Sequence, residues 1–348
     1  MIKQAIRIYA LVATVAFFLG TGAAATPFPL PDASSPRRTA ATVKAIREVL
    51  ATPSDKIDLA KAELTFEKLV DPNINTDILL GQIERMAQSV RIMAEPHASG
   101  AERLAALKTY IYQPGPWNDF KPYGYDFTDP YGRDYTHALV SRYLVTRQGN
   151  CVSMPFLFVM LGNRLGLKMT LAMVTRHIFV KYTDDAEKTV NLETTSGANP
   201  ARDVWLRQVT PMSDRAVASG AYMAPLTRSE ALAVMAGVML EAGHARHRYA
   251  EMAAVTDLLL RAYPKFVQAM VIQSGAYEDM IDTEFGAKYA TPELIPSGKR
   301  ARYFALARKD RAVLDRVTAL GWRESDYRPR AVEAPTPVTL ATSLVKGE

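Results

Sequence analysis

Cysteine is almost absent: Cys151 is the single one in 348 residues. An internal disulfide is therefore excluded, and no cluster of thiolates exists to hold a metal ion. Histidine is scarce as well, with five copies. His244 and His247 fall at i and i+3, but no HExxH spacing accompanies them, so no metal site and no organic cofactor is expected. No run beyond the N-terminus approaches the ~20 apolar residues of a membrane-spanning helix. No dense Lys/Arg stripe with interleaved aromatics occurs. The formal charge of +6 is mild, and Lys3 and Arg7 supply part of it, so a nucleic-acid partner is not expected. What remains is ordinary globular composition, 48% hydrophobic and 22% charged, in a chain long enough for two modest domains and a core that needs no disulfide.

The first residues have the build of a secretory signal. Lys3 and Arg7 form a positive start, residues 8–20 are uncharged and mostly apolar, and Ala23-Ala24-Ala25 fits an A-x-A cleavage site before Thr26-Pro27. A membrane anchor is the other reading, but the run is short for one. Cleavage makes the mature chain an exported protein, periplasmic or secreted, with no remaining span. Export sharpens the cysteine question. A lone thiol in an oxidising compartment is either a liability or a tool, and the alternative is a buried, inert Cys packed as a small hydrophobe.

Along the chain, residues 27–38 are rich in Pro and Ser and read as a linker. Helical periodicity follows over residues 40–50, 58–70, 75–93 and 101–112, with Asn75, Thr76 and Asp77 as capping residues of the third. Residues 117–135 (WNDFKPYGYDFTDPYGRDY) carry aromatics, Gly, Pro and Asp without a period. They predict a long ordered loop, which either lines a binding cleft or covers the core. A helix over 134–146 leads to Arg147-Gln148-Gly149-Asn150. Residues 151–165 then predict a helix too densely apolar for a surface position. Residues 168–174, 177–182 and 188–194 predict a short antiparallel sheet. From residue 226 the chain is helical again, either as a 34-residue tetratricopeptide-type unit ending at Pro264 or as a generic bundle. Residues 329–348 have the composition of an unstructured tail.

Three residues carry candidate chemistry. Cys151 follows Gly149-Asn150 and opens the buried helix. There the helix macrodipole and unpaired N–H groups favour thiolate and could also donate to an oxyanion. His177 begins one strand and Glu193 lies on the next. If Tyr182 pairs with Lys188 across residues 183–187, His177 stands opposite Glu193, with Cβ atoms roughly 4.5–5.5 Å apart. A carboxylate there can orient the imidazole. Asn191 shares that strand face and replaces Glu193 if the register slips by two. Gln148, Asn150 and Tyr135 are further candidates for the oxyanion or substrate cleft, and His137 for its lining.

Residues 147–169 (RQGNCVSMPFLFVMLGNRLGLKM), 176–180 (RHIFV) and 190–197 (VNLETTSG) resemble the transglutaminase-like superfamily. Residues 71–90 and 102–113, with helices after the core, are similar to its SirB-type branch. The resemblance implies a papain-like α+β fold with Cys151 on a buried helix and His177 and Glu193 on adjacent strands of a short antiparallel sheet. An all-α, tetratricopeptide-like region would follow. Glu193 occupies the place where the family usually has Asp. The implied organisation is a signal peptide at 1–25, a linker at 26–39, the cysteine domain at 40–224, the helical domain at 225–328 and the tail at 329–348. The implied activity is hydrolysis or transfer at an amide or peptide bond through a Cys151 thioester, with His177 as general base and a cell-envelope peptide or amide as substrate. A non-catalytic module that binds peptides, and a protein partner at the C-terminal helices, is the alternative.

Overall fold

The computed structural model describes residues 35–327, apart from 131 and 287. The expected signal peptide, most of the expected linker and the expected tail lie outside the described residues. Polar side chains open the first helices. α1 (Pro36–Leu50) starts at Pro36 rather than at residue 40, because the fixed φ of proline suits the first helical position. The last residues of the expected linker are therefore helical. α2 (Leu59–Val70) is capped by Asp58, whose carboxylate accepts the Ala60 and Lys61 N–H groups. α3 (Thr76–Met93) is capped by Asn75, which accepts from Ile78 N. α4 (Gly100–Tyr112) begins in a reciprocal Ser99–Glu102 capping box.

The aromatic loop is ordered but not without pairing. Gly124–Tyr125 (β1) pairs in parallel with Gln148–Gly149 (β2), the two residues before Asn150. The helix expected over 134–146 is broken in two. Tyr135–Ala138 forms a 3-10 turn, and α5 (Val140–Thr146) starts after Leu139. The break has a tertiary cause. Glu67 on α2 accepts the Val140 N–H at 2.5 Å and the Ser141 N–H at 2.9 Å. Those donors would otherwise bond back to residues 136 and 137 in a continuous helix. Glu63, one turn earlier and fully buried, is pushed well above the usual carboxylate range by burial and by Glu67. It is therefore held neutral beside the helix-capping carboxylate.

α6 (Ser153–Arg164) is the centre of the molecule, with every residue from Ser153 to Gly162 buried. Four strands pack beside it: β3 (Lys168–Val174), β4 (His177–Thr183), β5 (Thr189–Glu193) and β6 (Asn199–Ala201), antiparallel in the order β3-β4-β5-β6. β6 carries Pro200 and sits at the sheet edge, where the missing N–H of proline is tolerated. α7 (Asp203–Val209) and α8 (Asp214–Ala218) lead to the C-terminal helices α9 (Arg228–Met235), α10 (Val238–Ala245), α11 (Tyr249–Ala262), α12 (Val267–Ile281) and α13 (Ser297–Ala319). The architecture is α+β, a helical chain around a small antiparallel sheet. One apolar cluster runs from Ile46 through α6 to Val317, without a gap at residue 224. Contacts of α1 with α11 and of α2 with α10 bring the first two helices against the C-terminal ones. Among the described residues, no helix is long and apolar enough to cross a membrane.

Because α6 is buried on all sides, truncation there leaves a cavity rather than a smoother surface. Leu161→Ala, at a position with no exposure, is expected to cost about 2–5 kcal/mol in urea unfolding. Ile92→Ala, at a side chain 71% exposed, is expected to stay within about 0.5 kcal/mol.

Candidate functional site: a Cys–His–Glu cluster

Cys151 lies in a turn two residues before α6, not on the helix itself. The cause is Asn150, which is buried and whose Oδ1 accepts the Val152 N–H at 2.9 Å and the Ser153 N–H at 3.3 Å. Asn150 therefore closes the turn that carries Cys151, directly ahead of the helix. Gly149 admits no side chain, since a Cβ there would meet the Tyr143 ring at 2.7 Å and Ser153 Oγ at 2.8 Å. Among the described residues, the Cys151 N–H donates to no protein acceptor. Its thiol is partly exposed and donates to the Arg176 carbonyl at 3.9 Å. Arg176 reaches that position by a left-handed backbone, φ 57°, in the two-residue turn between β3 and β4.

The same turn delivers His177. The Cys151 thiol reaches the carbonyl of Arg176, the residue bonded to His177. Nε2 of the His177 ring meets Glu193 Oε2 at 2.6 Å, which leaves Nδ1 free of that carboxylate. The hairpin register differs from the expected one. Tyr182 pairs with Val190 and Thr183 with Thr189, so the turn begins one residue later and Glu193 is diagonal to His177 rather than opposite. Diagonal neighbours remain within reach of long side chains, and Glu spans the offset. The second oxygen of Glu193 is fixed by Thr195, through its N–H at 3.0 Å and its hydroxyl at 2.7 Å.

Asn191 is not brought to this cluster. It accepts from Lys181 Nζ at 2.8 Å and donates to the Ala201 carbonyl at 2.9 Å and to Asp203 at 2.6 Å. Its work is to hold β5 to β6 and the start of α7. Tyr135 is turned toward the C-terminal helices, where its hydroxyl accepts from Arg246 at 3.0 Å. The Gln148 side chain is exposed beside the cysteine turn. His137 lies behind that turn, bonded through Nδ1 to Asp126 at 2.7 Å. His244 stands 3.9 Å from Asp279, and His247 bonds Tyr249 at 2.7 Å. Among the described residues, no group of His, Cys, Asp and Glu has the spacing to hold a metal ion.

Two residues that the sequence did not single out help to build the site. Arg147 stacks over Tyr123 at 5.5 Å and donates to the Lys121 carbonyl at 2.6 Å and to Asp119 at 2.9 Å. It thereby pins the aromatic loop to the strand that precedes Cys151. Tyr125 follows on that loop, half-buried. Burial pushes its phenol up, and negative charge at Cys151, Asp129, Asp126 and Glu193 adds to the effect. Phe127, 83% exposed, packs edge-on against Tyr125. Neither arginine nor aromatic position carried a sequence signal beyond the composition of the loop.

The electrostatics follow from the contacts. Burial pushes the His177 imidazole down, but its bonds to Cys151 and Glu193 outweigh this and hold it up at about 10. Burial pushes Glu193 up, and its bonds to His177 and Thr195 more than reverse that, so it lies below the usual carboxylate value. The cluster thus favours an imidazolium against a carboxylate that is fixed on both oxygens.

The family model described as transglutaminase-like superfamily matches residues 78–237. No curated protein and no solved structure matches the chain. Residues 78–237 therefore form a transglutaminase-like domain. It begins inside α3, holds the whole Cys151–His177–Glu193 cluster and ends just after α9.

The raised histidine has a consequence for stability. Its contribution is complete below its ordinary value of 6.5 and is lost as the pH rises toward about 10. The contribution of Glu193 is complete above its ordinary value of 4.5 and is lost as the pH falls through its lower folded value. The melting-temperature gap between the native chain and His177→Ala is therefore expected to be widest between pH 4.5 and 6.5 and to narrow toward pH 10. An NMR titration of the His177 ring with an ordinary midpoint would contradict the pairing.

Proposed function

We propose that the protein is an exported thiol enzyme that hydrolyses an amide or peptide bond through an acyl-enzyme on Cys151. The observation that carries this reading is one imidazole bonded to a doubly fixed carboxylate and adjacent in the chain to the carbonyl that a partly exposed thiol reaches. His177 takes the thiol proton, and the sulfur attacks the carbonyl carbon. The new S–C bond forms as the C=O π pair moves onto oxygen. The Cys151 N–H, free of any acceptor among the described residues, is the nearest donor to that oxyanion. The tetrahedral species collapses, the C–N bond breaks, and the proton on His177 passes to the leaving amine. Water then attacks the thioester while His177 takes its proton, and the thiol is released. An amine in place of water gives transfer instead.

Glu193 keeps the ring in place and stabilises its charge, the role that a carboxylate plays in Ser-His-Asp sites. Tyr125 and Phe127 form an aromatic rim suited to a peptide or amide substrate. The resemblance to the SirB-type branch supports a tetratricopeptide-like reading of the C-terminal helices, and hence a protein partner there. The expected signal peptide supports a cell-envelope substrate.

An electrophilic glutamine- or amide-mimic probe tests the reading on the purified mature chain. Rapid labelling is expected, lost in Cys151→Ala and slowed by about 10²–10⁴-fold in His177→Ala. Labelling no faster than that of a free thiol, and unchanged in His177→Ala, would falsify the enzyme reading and leave a binding module.

A further inference from the structure

Behind the cysteine turn lies a second His–carboxylate pair that the proposed chemistry does not use. Asp126 is buried, 2% exposed, and both of its oxygens are engaged. Oδ1 accepts from the Thr128 N–H at 2.8 Å and its hydroxyl at 2.5 Å, and Oδ2 meets His137 Nδ1 at 2.7 Å. The Thr128 hydroxyl, opposed by burial and aided by the Thr128 N–H and His137, holds the Asp126 carboxyl below its ordinary value. An ionised carboxylate can only accept, so the shared proton sits on His137 Nδ1. The His137 side chain is 11% exposed, and its Nε2 lies 3.6 Å from Asp134.

The backbone of this pair closes a ring of hydrogen bonds around Cys151. The Asp126 N–H donates to the Gly149 carbonyl at 2.7 Å. The His137 carbonyl accepts the Ser153 hydroxyl at 3.3 Å, and Ser153 Oγ accepts the Asn150 N–H at 3.1 Å. Asn150 is bonded in sequence to Gly149, which completes the circuit. Gly149 and Ser153 flank the cysteine on either side, so the bond between Asp126 and His137 braces the two flanks from outside, in addition to the direct Asn150–Ser153 bonds.

We infer that Asp126 and His137 are positioning residues, which act through the Gly149–Ser153 turn to hold the Cys151 N–H toward the carbonyl oxygen of the substrate. This rests on Cys151 being the nucleophile. The pair leaves the sulfur itself to His177, so it governs oxyanion stabilisation and not thiol activation. That division separates it from a merely structural pair, whose loss would disturb both.

Two reactions of the full mature chain separate these roles. Iodoacetamide alkylates the sulfur by direct displacement of iodide and forms no oxyanion. p-Nitrophenyl acetate acylates it through a tetrahedral oxyanion and expels nitrophenolate. His137→Ala is expected to slow acylation by up to about 100-fold, the cost of an ångström-scale misplacement, while alkylation keeps the native rate. His137→Asn, which retains an N–H for Asp126, is expected to restore much of the acylation. Thr128→Val loosens Asp126 without touching the imidazole and is expected to show the same split if His137→Ala does not fold. Equal slowing of both reactions, or slowing of neither, overturns the inference. A native chain that reacts with iodoacetamide no faster than free cysteine defeats the thiol-enzyme reading itself, and this inference with it.

Discussion

The 2.6 Å bond between His177 Nε2 and Glu193 Oε2 fixes the imidazole next to Arg176, whose carbonyl accepts the Cys151 thiol. Everything around the site serves that geometry. Glu193 is nearly buried, and a buried carboxylate is stable only when its oxygens are satisfied. Thr195 takes one oxygen and His177 the other. Had the carboxylate been exposed, water would screen it and the ring would swing. Had it been buried without Thr195, it would take up a proton and lose its hold on the imidazole.

The sulfur is positioned from the opposite direction by α6. That helix is buried from Ser153 to Gly162, so it cannot shift without disturbing the core on several sides. Asn150 closes the turn that carries Cys151, ahead of the first helical residue. Arg147 and the β1–β2 pairing then bring the aromatic loop against the same turn. The cysteine's turn is thus held by a rigid helix, a two-residue parallel bridge and a hydrogen-bonded loop, while the imidazole is held by the sheet. The site forms where these two bodies meet.

Buried carboxylates recur in the scaffold with different partners. Glu67 accepts two N–H groups at the start of α5, whereas Glu63 beside it is kept neutral by burial. This pairing is what divides the expected helix at Leu139. It also sets the turn that carries Tyr135 and His137, so a local break in one helix decides what lies behind the cysteine.

The sequence by itself determined the elements and the chemistry-bearing residues. The dense apolar run after Cys151, the capping residue Asn75 and the three strand segments are local signals, and period and turn chemistry suffice to read them. So was the pairing of His177 with a residue on the next strand. The tertiary structure decided the rest. It moved the hairpin register by two, because the turn between Thr183 and Thr189 closes around the side chain of Asp184, which accepts from Ala186 and Lys188. It selected Glu193 over Asn191, because Asp203 and Ala201, distant in no local pattern, claim the asparagine amide. It placed Asp126 against His137, and Glu67 against Val140, across 11 and 73 residues of chain. Such contacts join separate elements, and no periodicity within one element encodes them.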